Sequence, residues 1–276
     1  MTAREVEIDG ATAFLAQSGP APAQDRPALV LLHGAGGDHT AWFQVARAIA
    51  ADGGTVLVPD LPGNGRSGGS MPASVPALAQ WLWSLLDAVG AGPVVLAGHS
   101  LGSLVALEAA GQKPERVAGL GLLATALPMA VSDDLLATAE RDPPAAGAMM
   151  TKWAHGSGIR AGGSAVPGLW STVLDFTVIA ATRGGALHAA LKACADYPEA
   201  QGLAAAARVA APALLLLGAE DRMTPPRAAR RLLSAIAGAE LRTIPDCGHM
   251  MMVEQPAAVR AALRALLAAA RAQDAA

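Results

Sequence analysis

The amino-acid sequence predicts an α/β fold built around a mostly parallel sheet. Short apolar runs alternate along the chain with longer stretches of helical periodicity. Most runs are apolar at every position, as expected of strands that are buried on both faces of a parallel sheet. With 276 residues, 53% hydrophobic and 16% charged, the chain is long and apolar enough for one large domain or two small ones.

The order of the elements follows from turn residues and periodicity. The chain opens with a predicted β-hairpin, in which residues 6–8 and 12–16 are joined by the turn pair Asp9-Gly10. The apolar runs that predict the later strands are residues 28–32, 55–58, 94–97, 117–123, 213–217 and 241–244. The stretches between or after them that predict helices are residues 39–51, 75–89, 101–112, 226–237 and 256–272.

One interval breaks this alternation. Between about residues 126 and 201 there is no apolar run typical of a strand, only helical patches and loops rich in Gly, Pro and Met. The sequence therefore predicts a helical insertion after the sixth strand. We expect residues 1–125 and 202–276 to form the core and residues 126–201 to form the insertion.

Composition and charge exclude several classes of function. The formal net charge is −3, and no segment combines basic charge with interleaved aromatic residues, so a nucleic-acid partner is not expected. The charged N-terminus does not resemble a signal peptide, and no uncharged apolar run approaches the ~20 residues that span a bilayer. Two cysteines are too few for a disulfide scaffold. We therefore expect a cytoplasmic protein without membrane insertion; the sequence leaves its oligomeric state open.

The strongest chemical signal is the motif GHSLG at residues 98–102. It follows the predicted strand at 94–97 and opens a predicted helix, which is the context of a nucleophile elbow. A serine hydroxyl is a weak nucleophile unless it is presented to a general base and to the substrate carbonyl at the same time. Presenting Ser100 on a sharp turn achieves this, and a Cβ at Gly98 or Gly102 would clash there.

An acid and a base follow in chain order. Glu220 and Asp221 come after the apolar strand at 213–217, where sites form in open α/β sheets. We favour Asp221 as the catalytic acid, because the pleat of the strand aims only one of two neighbours at the site. His249 follows the last predicted strand, so the order Ser, Asp, His predicts His249 as the base and Asp221 as its orienting partner.

The glycine-rich segment HGAGG at residues 33–37 predicts an oxyanion hole. We expect the backbone N–H of Ala35, or that of Gly36, to act with the N–H of Leu101 on a developing oxyanion. The segment lacks the lysine and hydroxyl residue of a phosphate-binding loop. The run GNGRSG at residues 63–68 is followed by prolines instead of a helix, which argues against a dinucleotide site.

Four blocks of the chain resemble the α/β-hydrolase superfamily: LLHGAGGDHTAW, VPDLPGNGRS, LAGHSLGS, and the pair LLGAEDRMTPP with PDCGHMMMVEQP. The resemblance implies a mostly parallel eight-stranded sheet flanked by helices, with a helical cap between strands six and seven. It also implies Ser100 as nucleophile, Asp221 as acid and His249 as base.

The predicted activity is hydrolysis of a small to medium, largely apolar carboxylic ester through an acyl-enzyme, with no cofactor. No histidine spacing predicts a metal site. The residues expected to contact the substrate are His33, Gly34, Gly36, His99, Trp153, Trp170 and Met250. Alternatives with the same triad are a carbon–carbon bond hydrolase, a lactonase or a thioesterase; a further alternative is a ligand receptor with incidental turnover.

Overall fold

The computed structural model of the chain describes residues 1–163, 171–183 and 185–274. Its strands are β1 Thr2–Ile8, β2 Ala11–Ser18, β3 Ala28–Leu32, β4 Val56–Pro59, β5 Val94–His99, β6 Val117–Leu123, β7 Ala213–Gly218 and β8 Glu240–Ile244. Its helices are α1 Phe43–Ala50, α2 Val75–Ala88, α3 Leu101–Gln112, α4 Asp133–Arg141, α5 Pro143–Ala154, α6 Ser157–Arg160, α7 Ser171–Ala180, α8 Ala186–Asp196, α9 Glu199–Ala206, α10 Arg230–Ala235, α11 Met251–Glu254 and α12 Pro256–Asp274.

The eight strands form one sheet in the order β1-β2-β4-β3-β5-β6-β7-β8. Strand β2 pairs antiparallel with both of its neighbours, and the pairs from β4 to β8 are parallel. The hairpin turns at Asp9 and Gly10, whose φ angles of 52° and 77° match the turn that suits the twist of the flanking strands. The predicted mostly parallel eight-stranded sheet is therefore confirmed.

The sheet is buried on both faces because its inner strands are apolar at every position. In β3, Val30 and Leu32 pack into one apolar cluster with residues of α2 and α3. Leu29 and Leu31 point the other way, into a cluster with residues of α1 and α12. The alternation of side chains along a strand thus supplies two cores, one for each layer of helices.

Two predicted helices are divided in the structure. The stretch predicted at 39–51 begins as a 3-10 helix, His39–Trp42, before α1, and the stretch at 226–237 begins as a 3-10 helix, Pro226–Ala229, before α10. In both cases the α-helix follows directly on the 3-10 helix, an arrangement that is frequent at the N-terminus of α-helices. Strand β5 runs two residues beyond its apolar run.

Helices α4 to α9, which we call the inserted helices, lie between β6 and β7, where the sequence predicts a helical insertion. They share a small apolar cluster of their own, with buried residues from α4, α5, α7 and α8. The predicted boundary at residue 201 falls inside α9. Within the residues that the structure describes, no helix combines the length and the apolar content that crossing a bilayer requires.

Two leucines in strands allow a matched test of this architecture. Leu96 lies in the central strand β5 and is fully buried, whereas Leu241 lies in the edge strand β8 and is 44% exposed. Leu96→Ala is expected to lower the free energy of unfolding by roughly 2–5 kcal/mol, because it leaves a cavity between the sheet and its helices. Leu241→Ala should lower it by less than about 0.5 kcal/mol. Chemical denaturation followed by circular dichroism measures both values; equal losses would contradict the placement of β5 at the centre.

Candidate active site

The turn between β5 and α3 holds Ser100 in a strained conformation. Its φ is 53° and its ψ is −121°, a region that residues with a side chain rarely occupy. The Ser100 N–H donates to the carbonyl of Leu123 at 3.0 Å, which ties the turn to the end of β6. A Cβ at Gly98 would overlap the backbone of Gly102, and a Cβ at Gly102 would lie 2.5 Å from the carbonyl oxygen of Leu32. The predicted need for both glycines is therefore visible in the packing.

The acid and the base predicted from the sequence lie together in the structure. The distance between Nδ1 of His249 and Oδ2 of Asp221 is 2.9 Å, and both side chains are buried. Since a carboxylate can only accept, Nδ1 carries the hydrogen, which leaves Nε2 of His249 as the basic nitrogen. The choice of Asp221 over Glu220 agrees with this geometry, because Glu220 instead accepts hydrogen bonds from Ser157.

Asp221 is held in place by the turn that follows it. Its Oδ1 accepts from the backbone N–H groups of Met223 at 2.9 Å and Thr224 at 2.8 Å, and its Oδ2 accepts from the Thr224 hydroxyl at 2.7 Å. Burial by itself would raise the pKa of this carboxyl. The charge and hydrogen bond of His249, together with those from Thr224, hold the pKa of Asp221 below its ordinary value.

Ser100 and His249 line the same cavity. Among the described residues, however, the Ser100 hydroxyl makes no hydrogen bond with His249 or with another side chain. Contacts of this kind are often long in a free enzyme and shorten when substrate is bound. The structure thus brings the three predicted residues to one place and completes the contact between acid and base.

His99, the residue before the predicted nucleophile, supports the loop of the base. Its Nε2 donates to the backbone carbonyl of His249 at 2.9 Å, and the two rings lie 4.6 Å apart. Burial, together with the charge of the neighbouring His249, lowers the pKa of His99 to about 3. The hydrogen bond to the His249 carbonyl acts in the opposite direction and is the smaller effect. His99 therefore stays neutral through the physiological range of pH while its ring lines the cavity.

The loop after β3, which carries the predicted oxyanion donor Ala35, lines the same cavity as Ser100. Nδ1 of His33 donates to the carbonyl of Gly34 at 2.9 Å, and Nε2 accepts from the N–H of Leu61 at 2.9 Å. Both ring nitrogens of His33 are thus engaged by backbone, and the ring fixes the shape of the loop. The N–H of Ala35 makes no backbone hydrogen bond with a described residue, and that of Leu101, the first residue of α3, has no intrahelical acceptor.

A cavity of about 290 Å³ opens above Ser100 between the sheet edge and the inserted helices. Gly34 and Gly36 from the loop after β3, Trp153 from α5, and Met250 beside the base all line it; Trp170 lies outside the described residues. The apolar side chains that the inserted helices contribute to its walls are Leu135, Met150, Trp153, Ala154, Val178, Ile179, Leu191 and Cys194. Among the described lining residues, Arg222 at the exposed rim is the one with a permanent charge.

Residues 29–262 match the sequence profile of the alpha/beta hydrolase family. The chain belongs to this family. The resemblance that the four sequence blocks predict is thereby confirmed, and the protein is a hydrolase.

Individual relatives support the same conclusion. The hydrolase is 33% identical over 246 residues to a pimeloyl-[acyl-carrier protein] methyl ester esterase from Aromatoleum aromaticum, a match that covers 84% of this chain and 94% of the relative. It superposes on a thermophilic esterase from Thermogutta terrifontis with a TM-score of 0.81 and 25% identity, covering 98% of this chain and 99% of that one.

A shorter match involves a much longer protein. Over 99 residues the hydrolase is 41% identical to the dihydrolipoyllysine-residue acetyltransferase component of an acetoin cleaving system from Pseudomonas putida. That match covers 36% of this chain and 26% of the relative, so the shared stretch is about a quarter of that protein's length.

One group of side chains in the hydrolase has the composition of a metal site, although the sequence predicts none. Asp38, His39 and Asp60 bring one ligand atom each to within 4.8 Å of one another. Asp60 already accepts from the N–H of His39 at 2.6 Å, from Nδ1 of His39 at 2.9 Å, and from the N–H of Arg66 at 2.8 Å. A cation would have to displace these hydrogen bonds, which hold the turn after β4.

Two residues near the base and the acid are not among those predicted. Thr224 has a signal in the sequence, because an Asp followed three residues later by Thr, as in DRMT, is typical of a turn that the Asp side chain closes. Glu254 has none, because a lone glutamate in MMVEQP is indistinguishable from a solvated one. The structure buries Glu254 almost completely, at 1% exposure.

The turn at Ser100 allows a test of its steric requirement. Gly98→Ala is expected to destabilise the hydrolase by on the order of 3–5 kcal/mol, because the new methyl group meets backbone that cannot retreat. Gly54→Ala is the matched control, since a Cβ there would lie 3.6 Å from the nearest atom, an ordinary contact. Thermal unfolding measures the stability of the fold, and the yield of labelling by a fluorophosphonate measures the reactivity of Ser100. A Gly98→Ala variant that unfolds and labels like Gly54→Ala would contradict the turn described here.

Proposed function

We propose that the protein hydrolyses carboxylic esters through a covalent acyl-enzyme. The observation that carries the proposal is the buried pair of His249 and Asp221, in which His249 lines the same cavity as Ser100. His249 Nε2 takes the hydroxyl proton as Ser100 Oγ attacks the carbonyl carbon. The ester C–O bond then breaks, and His249 returns the proton to the departing alkoxide. Water repeats both steps on the acyl-enzyme and releases the carboxylic acid.

The backbone N–H groups of Ala35 and Leu101 serve as the oxyanion hole in this proposal. Each belongs to a rigid part of the site: Ala35 follows the loop that His33 fixes, and Leu101 is the first residue of α3. The positive end of α3 adds to the attraction for an oxyanion at its N-terminus. Fixed donors of this kind are worth about 2.7–4 kcal/mol each to the transition state.

The walls of the cavity indicate an apolar acyl or alcohol group. We infer that the inserted helices, which begin within the predicted 126–201 insertion and end five residues beyond it, act as a cap over Ser100. Their aliphatic and Met side chains would then contact the substrate. Methionine adapts its shape to different chains, so selectivity should change gradually along a series of esters. Arg222, which is exposed at the rim, can bind a polar or anionic group at the mouth of the cavity.

A substrate screen tests the proposal and separates it from its alternatives. The substrates are 4-nitrophenyl esters of increasing chain length, a lactone series, an acyl thioester and a 2-hydroxy-6-oxo-dienoate, each with the wild type and with Ser100→Ala. We expect turnover of the short to medium nitrophenyl esters that Ser100→Ala abolishes. Preference for one of the other three classes identifies the corresponding alternative. Absence of turnover in all four classes favours a receptor and refutes the proposal.

Asp221 should act through the orientation of His249. Asp221→Asn is expected to lower kcat by a factor on the order of 10⁴, because the amide stabilises the wrong tautomer of the imidazole. Steady-state kinetics on the best ester measures the loss. Glu220→Gln is the control. The side chain of Glu220 lies next to Asp221 in sequence but accepts from Ser157 and not from His249, so this variant should retain kcat to within about tenfold. A larger loss for Glu220→Gln than for Asp221→Asn would reverse the assignment of the acid.

A further inference from the structure

The end of helix α5 is bonded directly to the loop that carries the base. The carbonyl of Ala154 accepts from the N–H of His249 at 2.7 Å and from the N–H of Met250 at 3.3 Å. The two chains touch so closely that a Cβ on Gly248 would lie 2.7 Å from that carbonyl oxygen. The inserted helices and the base loop therefore share backbone hydrogen bonds at this point.

Glu254 reinforces this junction from inside the protein. Its Oε2 accepts from the N–H of Gly156 at 2.9 Å and from the N–H of Gly248 at 3.0 Å, one on each side of the contact. Bonds from N–H groups to a charged oxygen are stronger than those between neutral groups. Without this carboxylate, two buried N–H groups would be left without their acceptor, which is unfavourable inside a protein.

The loop that carries Asp221 is attached to Ser157, the residue after Gly156. Glu220, the neighbour of Asp221, accepts from the backbone N–H of Ser157 at 2.5 Å and from its hydroxyl at 2.9 Å. These two hydrogen bonds, led by the one from the backbone, lower the pKa of Glu220. The turn Ala154–Ser157 thus receives one carboxylate from each of the two loops that orient the imidazole.

Helix α5 also forms part of the cavity wall, with Met150 and Trp153 facing the space above Ser100. The same helix therefore lines the proposed substrate cavity with its C-terminal half and ends on the base loop. We propose that residues 154–157 anchor both triad loops and that Glu254 is a positioning residue for His249. This inference rests on the proposed function, because the position of His249 matters for rate only where His249 is the base.

Variants of Glu254 test the inference with kcat expressed per active site, as counted by fluorophosphonate labelling. Glu254→Ala is expected to lower kcat by roughly ten- to a hundredfold with KM changed by less than about threefold, because a small displacement of a base costs rate rather than binding. Glu254→Gln keeps an acceptor oxygen for both N–H groups and should restore kcat to within about threefold of the wild type.

Glu108→Ala is the control for the loss of a buried carboxylate elsewhere. Glu108 is 8% exposed and accepts from the Tyr197 hydroxyl at 2.6 Å, so it joins α3 to the inserted helices and not to the base loop. Its loss should lower the melting temperature while kcat per active site stays within about twofold, since the hydrogen bonds that are lost do not involve the base loop.

A pair of glycines tests the anchor from the side of the inserted helices. A Cβ on Gly156 would lie 3.0 Å from Oε2 of Glu254 and 3.1 Å from the N–H nitrogen of Gly248, whereas a Cβ on Gly158 meets nothing within 4 Å. Gly156→Ala should displace the turn away from the base loop and lower kcat per active site by about threefold or more. Gly158→Ala should leave kcat per active site unchanged.

The outcomes are distinct. A selective loss of kcat in Glu254→Ala and Gly156→Ala, restored by Gln and absent in both controls, supports the anchor. Equal kcat per active site in all variants, even with lowered melting temperatures, overturns it. If Glu254→Ala does not fold, the Gly156 and Gly158 pair decides. If the wild type neither labels nor turns over an ester, the proposed function is wrong and the positioning role falls with it.

Discussion

The arrangement of the whole site depends on a steric constraint at the end of β5. Ser100 can occupy a positive φ only because Gly98 and Gly102 let the strand and helix α3 meet without side chains between them. That close contact requires β5 to lie between β3 and β6, whose carbonyls at Leu32 and Leu123 border the turn. The loop after β3 then lies on one side of Ser100, and the chain leaving β6 for the inserted helices lies on the other.

Buried carboxylates near the site are stabilised by directed hydrogen bonds. Three donors besides His249 converge on Asp221, and two backbone N–H groups converge on Glu254. His99 follows the other course and loses its charge, since burial lowers its pKa to about 3. A neutral His99 can hold the carbonyl of His249 without repelling the imidazolium that the proposed mechanism forms.

The sequence predicts the sheet well because its inner strands are apolar on both faces and short. The run at 28–32 coincides with β3, and the run at 117–123 coincides with β6, while β5 ends two residues later than its apolar run because His99 is polar yet still paired with Leu123. The strained turn at Ser100 and the order of the predicted acid and base are visible as motifs in the sequence. The sequence does not show which side of α5 or α7 faces the cavity, because helices between a core and a cavity are apolar on more than one side.

Glu254 shows where sequence reasoning stops at the site itself. A glutamate is usually solvated, and its burial here follows from a backbone contact between residues 156 and 248 that are 92 positions apart. Thr224 is local and could be predicted, because its bond to Asp221 spans three residues. Contacts that close within one turn leave a pattern in the sequence, whereas contacts made by the assembled fold leave none.

The two cysteines have a practical consequence for anyone who studies this enzyme. Burial raises the pKa of Cys194 to about 12, and burial with the nearby charges of Glu254 and Asp221 raises the pKa of Cys247 as well. Both thiols are free and buried, and thiol reagents react with the thiolate form. Cys194 borders the active-site cavity, but its thiol stays protonated near neutral pH. The native protein should therefore react only slowly with a disulfide chromogen, so that thiol released from a thioester can be followed continuously in its presence. Unfolding exposes both sulfurs, so the same reagent can also be used to measure the fraction of unfolded protein.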